Sequence, residues 1–281
     1  MMRYGVESPL RAVITGIDGA GKSTTAGIVA EKMGREYRLV KPGPSRPVYT
    51  IVDGEKQYHY QRIVGLIDRL HGFADKTKKP EFIGAVNAIN VILNGRVIEP
   101  SLVRRFQPEL VLGARDFYID PAVYSVVYQP RLASKNMSER FDFLKTVTGA
   151  PFRDVVFFLT VPPEEAVERI ERRIAKERAS PGASEREKWR HLHENPETLT
   201  RLQTEYYDAL GTLQNKSPVK IYEINTSGMP QVKVADFIAT TIRKHIKNGR
   251  LRNDSGSWVK IEREPTEVVG LENATVVYSR G

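Results

Sequence analysis

A layered α/β fold, a parallel sheet with helices on both faces, is what the sequence predicts. Five short β-rich runs carry that reading: RAVIT (11–15), YRLV (37–40), ELVLGA (109–114), DVVFFLT (154–160) and VKIYEI (219–224). Long segments with apolar residues at helical spacing separate them, and that alternation buries a parallel sheet between two helical layers. The first run also leads straight into a glycine-rich turn and then a helix, the local order of a phosphate-binding strand–turn–helix unit.

Taken along the chain, helical spacing predicts helices over about 22–33, 60–73, 82–106, 121–128, 137–147, 163–178, 194–213 and 230–247. Pro230 opens the last and Gly249 stops it. Residues 42–58, with Pro42, Gly43, Pro44 and Pro47, exclude regular helix, and ADKTKKPE (74–81) reads as a basic loop. From 251 the composition changes, and two short strands around a turn, Trp258 to Ile261 and Ala274 to Tyr278, predict a C-terminal hairpin or tail over 251–281. The remainder, 1–250, reads as one domain.

With 281 residues, 40% of them hydrophobic, the chain can bury a sizeable core in one large domain. It has no cysteine, which excludes disulfides and thiolate metal sites. The opening MMRYGVESPLR has no apolar run suited to secretion and no stretch reaches transmembrane length, so a cytoplasmic protein without a membrane partner is expected. A net charge of +9 and a pI near 9.6 point to a polyanionic partner: nucleic acid, a membrane surface or nucleotide phosphates.

The stretch GIDGAGKS (16–23) decides among these. Gly16, Gly19 and Gly21 let successive backbone N–H groups turn inward around phosphate oxygens at the positive end of the following helix. Lys22 is placed to reach the terminal phosphates of a triphosphate and the Ser23 hydroxyl to bind Mg²⁺. Gly16, Asp18, Gly19, Ala20, Gly21, Lys22, Ser23 and Thr24 are therefore the expected ATP-binding set. Asp18 is repelled by phosphate unless it has another task, either a sugar hydroxyl on an acceptor or a cap on the helix.

A second basic cluster follows the fourth strand. Arg169, Arg172, Arg173 and Lys176 lie on neighbouring turns of one helix, with Arg178 just beyond and SPGAS (180–184) breaking it. This reads as a flap over about 173–190 that can close on a triphosphate. Lys22 is the cation of the glycine-rich loop, so charge on a transferred phosphoryl group has to be met from elsewhere, and Arg173 and Arg178 are the expected source.

These residues resemble the thymidylate kinases, within the P-loop nucleoside monophosphate kinases. GIDGAGKST (16–24) is similar to that family's phosphate loop, KPGP (41–44) to its substrate loop, FFLTVPPEEAVERIERR (157–173) to its fourth strand and lid helix, and QTEYYDAL (203–210) to the helix after the lid. The resemblance covers roughly residues 10–247. It implies a five-stranded parallel sheet with a mobile lid, ATP and Mg²⁺ as cofactors, and transfer of the γ-phosphoryl group to a nucleoside monophosphate, dTMP first among them. It further implies that Arg115 grips the acceptor phosphate, that Asp116 organises the metal, and that Tyr124 lies against the sugar. Pro42 of the substrate loop and Phe117, the aromatic after the charged pair, join the acceptor site.

Two departures stand out. The family has Asp before Arg at the end of its third strand, whereas here Arg115 precedes Asp116. The family also places a Phe one turn before the Arg that reads thymine; the nearest Arg here is Arg96, and Ile92 stands four residues before it. A modified pyrimidine nucleotide, an acceptor carried on nucleic acid (not the favoured partner), and an ATP-binding module without catalysis are the rival readings. A homodimer stays open.

Overall fold

The computed structural model describes residues 8–43, 47–77, 79–178, 194–247, 258–261 and 275–277. In chain order the elements are β1 (Leu10–Thr15), α1 (Lys22–Met33), β2 (Leu39–Lys41), β3 (Tyr49–Val52), β4 (Glu55–Tyr58), α2 (Gln61–Thr77), α3 (Pro80–Leu93), a π-helical turn (Asn94–Ile98), α4 (Glu99–Phe106) and β5 (Leu110–Gly113). Then follow α5 (Ile119–Tyr128), α6 (Pro130–Ala133), α7 (Met137–Thr148), β6 (Val155–Thr160), α8 (Pro163–Arg178), α9 (Pro196–Lys216), β7 (Lys220–Asn225), α10 (Gln231–Lys247), β8 (Trp258–Ile261) and β9 (Thr275–Val277).

The strands form one sheet in the order β4-β3-β2-β5-β1-β6-β7-β8-β9. The five strands that the sequence predicts are its centre, β2-β5-β1-β6-β7, and every pairing among them is parallel. Because helices cover both faces, β1 and β6 are almost wholly buried and read as unbroken apolar runs. The expected five strands are too few, however. Residues 10–225 supply seven, and the C-terminal segment adds β8, parallel to β7, and β9, antiparallel to β8.

The two extra strands within residues 10–225 come from 42–58, where the prolines exclude regular helix. Asp53 and Gly54 take positive φ of 52° and 81°, the pairing of a two-residue hairpin turn, and join β3 to β4 as an antiparallel ribbon on the edge of β2. The basic loop expected at 74–81 is mostly helix, since α2 continues to Thr77 and Pro80 opens α3 as a first-turn proline. The single helix expected over 82–106 is instead α3, the π-helical turn and α4 end to end.

Between β5 and β6 stands β1, so the chain switches sides of the sheet at the carboxyl end of β1. In open α/β sheets that switch point is where ligands bind, and here it holds the glycine-rich loop.

Candidate active site

The loop from Gly16 to Gly21 has the backbone that its glycines predict. Gly16, Gly19 and Gly21 have φ of 142°, 85° and 89°. A Cβ on Gly16 would lie 2.2 Å from the Leu159 carbonyl oxygen, and one on Gly19 would lie 2.5 Å from that of Ala166, so β6 and α8 pack directly on the loop. Helix α1 starts at Lys22 with Gly21 as its cap residue and no side chain bonding its first amides. Those amides are the donors that an anion at a helix start takes up. Ser23 and Thr24 are exposed on the first turn, while Ala20 is buried beneath the loop. For a triphosphate with Mg²⁺ the fit is good: the cradle is intact and Ser23 supplies one hydroxyl. Magnesium sites of this kind take most of their ligands from phosphates and water rather than from a protein cage.

Lys22 is buried, and its Nζ donates to the Gly16 and Ile17 carbonyls at 2.7 and 2.8 Å and lies 3.4 Å from Asp18. Burial lowers its pKa, and Asp18 and Asp120 oppose that shift. Asp18 is the hub of the site. Its Oδ1 meets Arg115 at 3.1 Å, its Oδ2 accepts from the Tyr124 hydroxyl at 2.8 Å, and the Arg115 guanidinium lies 5.3 Å from the Tyr124 ring centre. Asp18 thus joins Lys22, Arg115 and Tyr124 in one cluster beside the loop.

The neighbours Arg115 and Asp116 part company. Arg115 faces the loop, whereas Asp116, although it borders the cleft, has both carboxylate oxygens committed. Its Oδ1 accepts from the Tyr118 and Ile119 amides at 2.7 and 2.9 Å, and its Oδ2 accepts from Arg153 Nε at 3.0 Å. Arg153 is 1% exposed in its side chain, and it is held from the other side by Glu99 through three contacts of 3.1 Å. Expected at the metal, Asp116 is instead half of a buried ion pair. Phe117, expected at the substrate, is fully buried beneath Arg153, 4.6 Å from guanidinium carbon to ring centre.

The carboxylate that does face the loop is Asp120, which the sequence reading passed over. Its Oδ2 accepts from Thr15 Oγ1 at 3.1 Å and from the Asp116 amide at 2.6 Å. Its Oδ1 accepts from Tyr206 at 2.9 Å and lies 3.9 Å from Arg115. Burial raises its pKa, and Arg115 and Lys22 pull the other way. Its only signal in the sequence is an Asp in the first turn of a helix after the third predicted strand, which is as common in caps as in sites.

Other expected residues land elsewhere. Arg96 donates to the Val147 and Thr146 carbonyls at 2.6 and 2.5 Å, closing the end of α7, and takes no part in the cleft. Pro42 is buried just after β2, also outside the cleft lining. On the lid helix, Arg169 bonds Glu165 and Thr226, Arg172 bonds Glu168, and Arg173 meets Glu194 at 3.1 Å. Arg178 ends α8, and its side chain lies outside the described residues, as do residues 179–190 of the expected lid.

Next to Asp18 and Arg115 opens a cleft of about 1050 Å³ between α3, α5 and α7. Ile83, Val91 and Tyr128 give it apolar walls, with Asn87, Asn90 and Gln129 as polar points among them. Phosphate loop, cation and cleft are thus contiguous.

Solved structures share this architecture. Two solved structures of deoxyadenosine kinase from M. mycoides, one with the products dCMP and a flexible dCDP bound and one with bound dATP, each superpose with a TM-score of 0.51 at 17% identity. The matches cover 84% and 83% of this chain and 100% and 99% of those chains, and at that identity the likeness is one of fold. No protein-family model matches the sequence, and no curated protein matches it.

Proposed function

We propose that the chain is an ATP-dependent phosphotransferase that carries the γ-phosphoryl group to a nucleoside 5′-monophosphate in the 1050 Å³ cleft. The observation that carries this reading is Arg115, held by Asp18 and Tyr124 on the border between the phosphate loop and that cleft. A guanidinium there is matched to an acceptor phosphate. An acceptor with only a hydroxyl would gain little from it.

Lys22 and the loop amides hold the donor phosphates, and Ser23 would help to hold Mg²⁺, which would supply charge neutralisation. The chain's own work is positioning: the Lys22 ammonium exchanges its bonds to the Gly16 and Ile17 carbonyls for phosphate oxygens, and Arg115 exchanges Asp18 for the acceptor phosphate. Released from Arg115, the Asp18 carboxylate keeps the Tyr124 hydroxyl and is free to accept from a sugar hydroxyl. Thymine is not carried by the geometry, since Arg96 is bound to main-chain carbonyls, and dTMP is one member of the acceptor class.

The test is a panel of acceptors with γ-labelled ATP and Mg²⁺: dTMP, dUMP, dCMP, UMP, modified pyrimidine monophosphates, and the corresponding nucleosides with deoxyadenosine. Label should pass to monophosphates. Arg115→Ala should lower kcat/KM for the acceptor by a factor of roughly 10 to 100, the worth of a charge-assisted phosphate contact. Transfer to nucleosides with monophosphates inert would overturn the assignment.

A further inference from the structure

A few polar side chains set in apolar cleft walls are what fix the orientation of a bound ligand. Two of them, Asn87 and Asn90, stand about one turn apart on α3, and Asn90 is 7% exposed. Asparagine is a poor residue for the middle of a helix, and a buried carboxamide is costly unless it is bonded. Packing alone would be better served by apolar side chains there.

The bonding of Asn90 fixes which way its carboxamide faces. Asn94, one turn later at the start of the π-helical turn, is 2% exposed and lies against two oxygens of Asn90. The first is the main-chain carbonyl, which can only accept, so the Asn94 atom 2.8 Å from it is Nδ2. The same Nδ2 lies 2.9 Å from the Asn90 side chain, and the atom it meets there has to be Oδ1. The Asn94 Oδ1 atom then points toward Gly43, where a Cβ would lie 2.6 Å from it, and it has no hydrogen-bond partner among the described residues. Asn94 thus holds Asn90 with its donor while its own buried acceptor stays unbonded.

Both asparagines line a small cavity beside Gly43, but of the two only Asn90 also lines the cleft. With Oδ1 turned to Asn94, a ligand that bonds the Asn90 side chain in the cleft is met by the hydrogens of Nδ2. Resting on the phosphotransferase reading, we propose that Asn90 reads the acceptor base through Nδ2, with Asn94 as its positioning residue. The site then takes a base that offers a carbonyl (uracil, thymine, hypoxanthine or guanine) ahead of one that offers an amino group (cytosine or adenine). A donor set against an amino group leaves both unbonded within a largely apolar wall.

Two pairs of acceptors, dUMP with dCMP and dIMP with dAMP, exchange a carbonyl for an amino group on the same ring. The ratio of kcat/KM within a pair, measured on one preparation, does not depend on the fraction of protein that is folded. The natural chain should favour the carbonyl member tenfold or more in at least one pair. Asn90→Asp keeps one oxygen for Asn94 and turns the other to the cleft, so the preference should reverse. Asn94→Leu releases Asn90 to present either end, so the ratio should fall toward one; it reads out independently should the aspartate variant not fold, and a merely structural Asn94 would leave the ratio unchanged. A natural chain indifferent within both pairs, or an Asn90→Asp variant that keeps the carbonyl preference, overturns the proposal while transfer to either member leaves the kinase reading standing. If no monophosphate takes the label, the kinase reading falls, and calorimetric affinities for the same pairs decide the rest. A carbonyl preference that Asn90→Asp reverses supports Asn90 as the reader, and its absence overturns that role too.

Discussion

Asp116→Asn separates a structural carboxylate from a metal-binding one. The Asp116 Oδ1 atom accepts two main-chain amides, and an asparagine carbonyl keeps both bonds, so the turn into α5 survives the substitution. The Oδ2 atom does not survive: an amide nitrogen there would face the Arg153 Nε–H, donor against donor, at a contact now 3.0 Å long. Arg153 is left buried with Glu99 alone. Breaking a buried ion pair costs about 3–5 kcal/mol, and retained Glu99 places this case near the low end, about 3 kcal/mol. For a chain of this size that corresponds to a fall in melting temperature of roughly 6–10 °C. Asp116→Ala should cost about 1 kcal/mol more, because it also removes the turn acceptor. Urea unfolding gives the free energies, and a magnesium titration of turnover by the folded variant gives the second readout. Loss of stability with an unchanged magnesium optimum is expected. A variant of natural stability whose turnover is lost and then restored by high magnesium would refute this account and return Asp116 to the metal.

Lys22→Ala should abolish transfer while the folded state persists, because the ammonium bonds only loop carbonyls and Asp18; near-normal turnover in a steady-state assay would remove the loop from the mechanism. Asp120→Asn removes a negative charge beside Lys22 and Arg115, so ATP should bind more tightly in a calorimetric titration while turnover falls, and weaker binding would contradict the placement. His245 is buried against Tyr222, and burial lowers its pKa to about 4, so the native state keeps it neutral where the unfolded chain binds a proton. Stability contributed this way is present above the ordinary histidine range and is lost as pH falls from about 6.5 toward 4, by up to roughly 3 kcal/mol. Unfolding free energies at pH 7 and pH 4.5 should differ less in His245→Gln than in the natural chain, and an equal difference would assign the acid sensitivity to other groups.

What was legible in the sequence was whatever its neighbours in sequence determine. The glycines of the phosphate loop, the five central strands and most of the helices between them follow from local conformational need and apolar spacing, and the fold has them. The hairpin at 49–58 was legible too, in Val52-Asp53-Gly54-Glu55, but the prolines of 42–47 led only to the exclusion of helix there. The Asp116–Arg153 pair was not legible, because its partners lie 37 residues apart and meet only when β6 is laid beside β1. Arg96 shows the opposite failure. Counting to the nearest arginine assumes an unbroken α-helix, and the π-helical turn at Asn94–Ile98 breaks that assumption at Arg96 itself. Tyr124 and Arg115 both reach Asp18, Arg115 from the segment after β5 and Tyr124 from the second turn of α5.

On the proposed phosphotransferase reading, charge balance calls for more cations than the site shows at rest. Lys22 and Arg115 are matched by Asp18 and Asp120, so the cluster is close to neutral before any ligand arrives. A triphosphate on the loop and a monophosphate beside Arg115 add several negative charges where two carboxylates already stand. Mg²⁺ offsets part of that excess, and the rest has to come from side chains that reach the phosphates. On the lid helix, Arg169 is fastened to the turn after β7 by bonds to the Thr226 carbonyl and hydroxyl, and Arg172 is spent on an exposed neighbour pair. Arg173 differs, since its guanidinium is half exposed and its partner, Glu194, lies across the segment 179–193. On the proposed phosphotransferase reading, Arg173, with its half-exposed guanidinium, is the candidate of the two to meet charge on the transferred group, and its exchange would leave the largely buried Glu194 carboxylate to other donors.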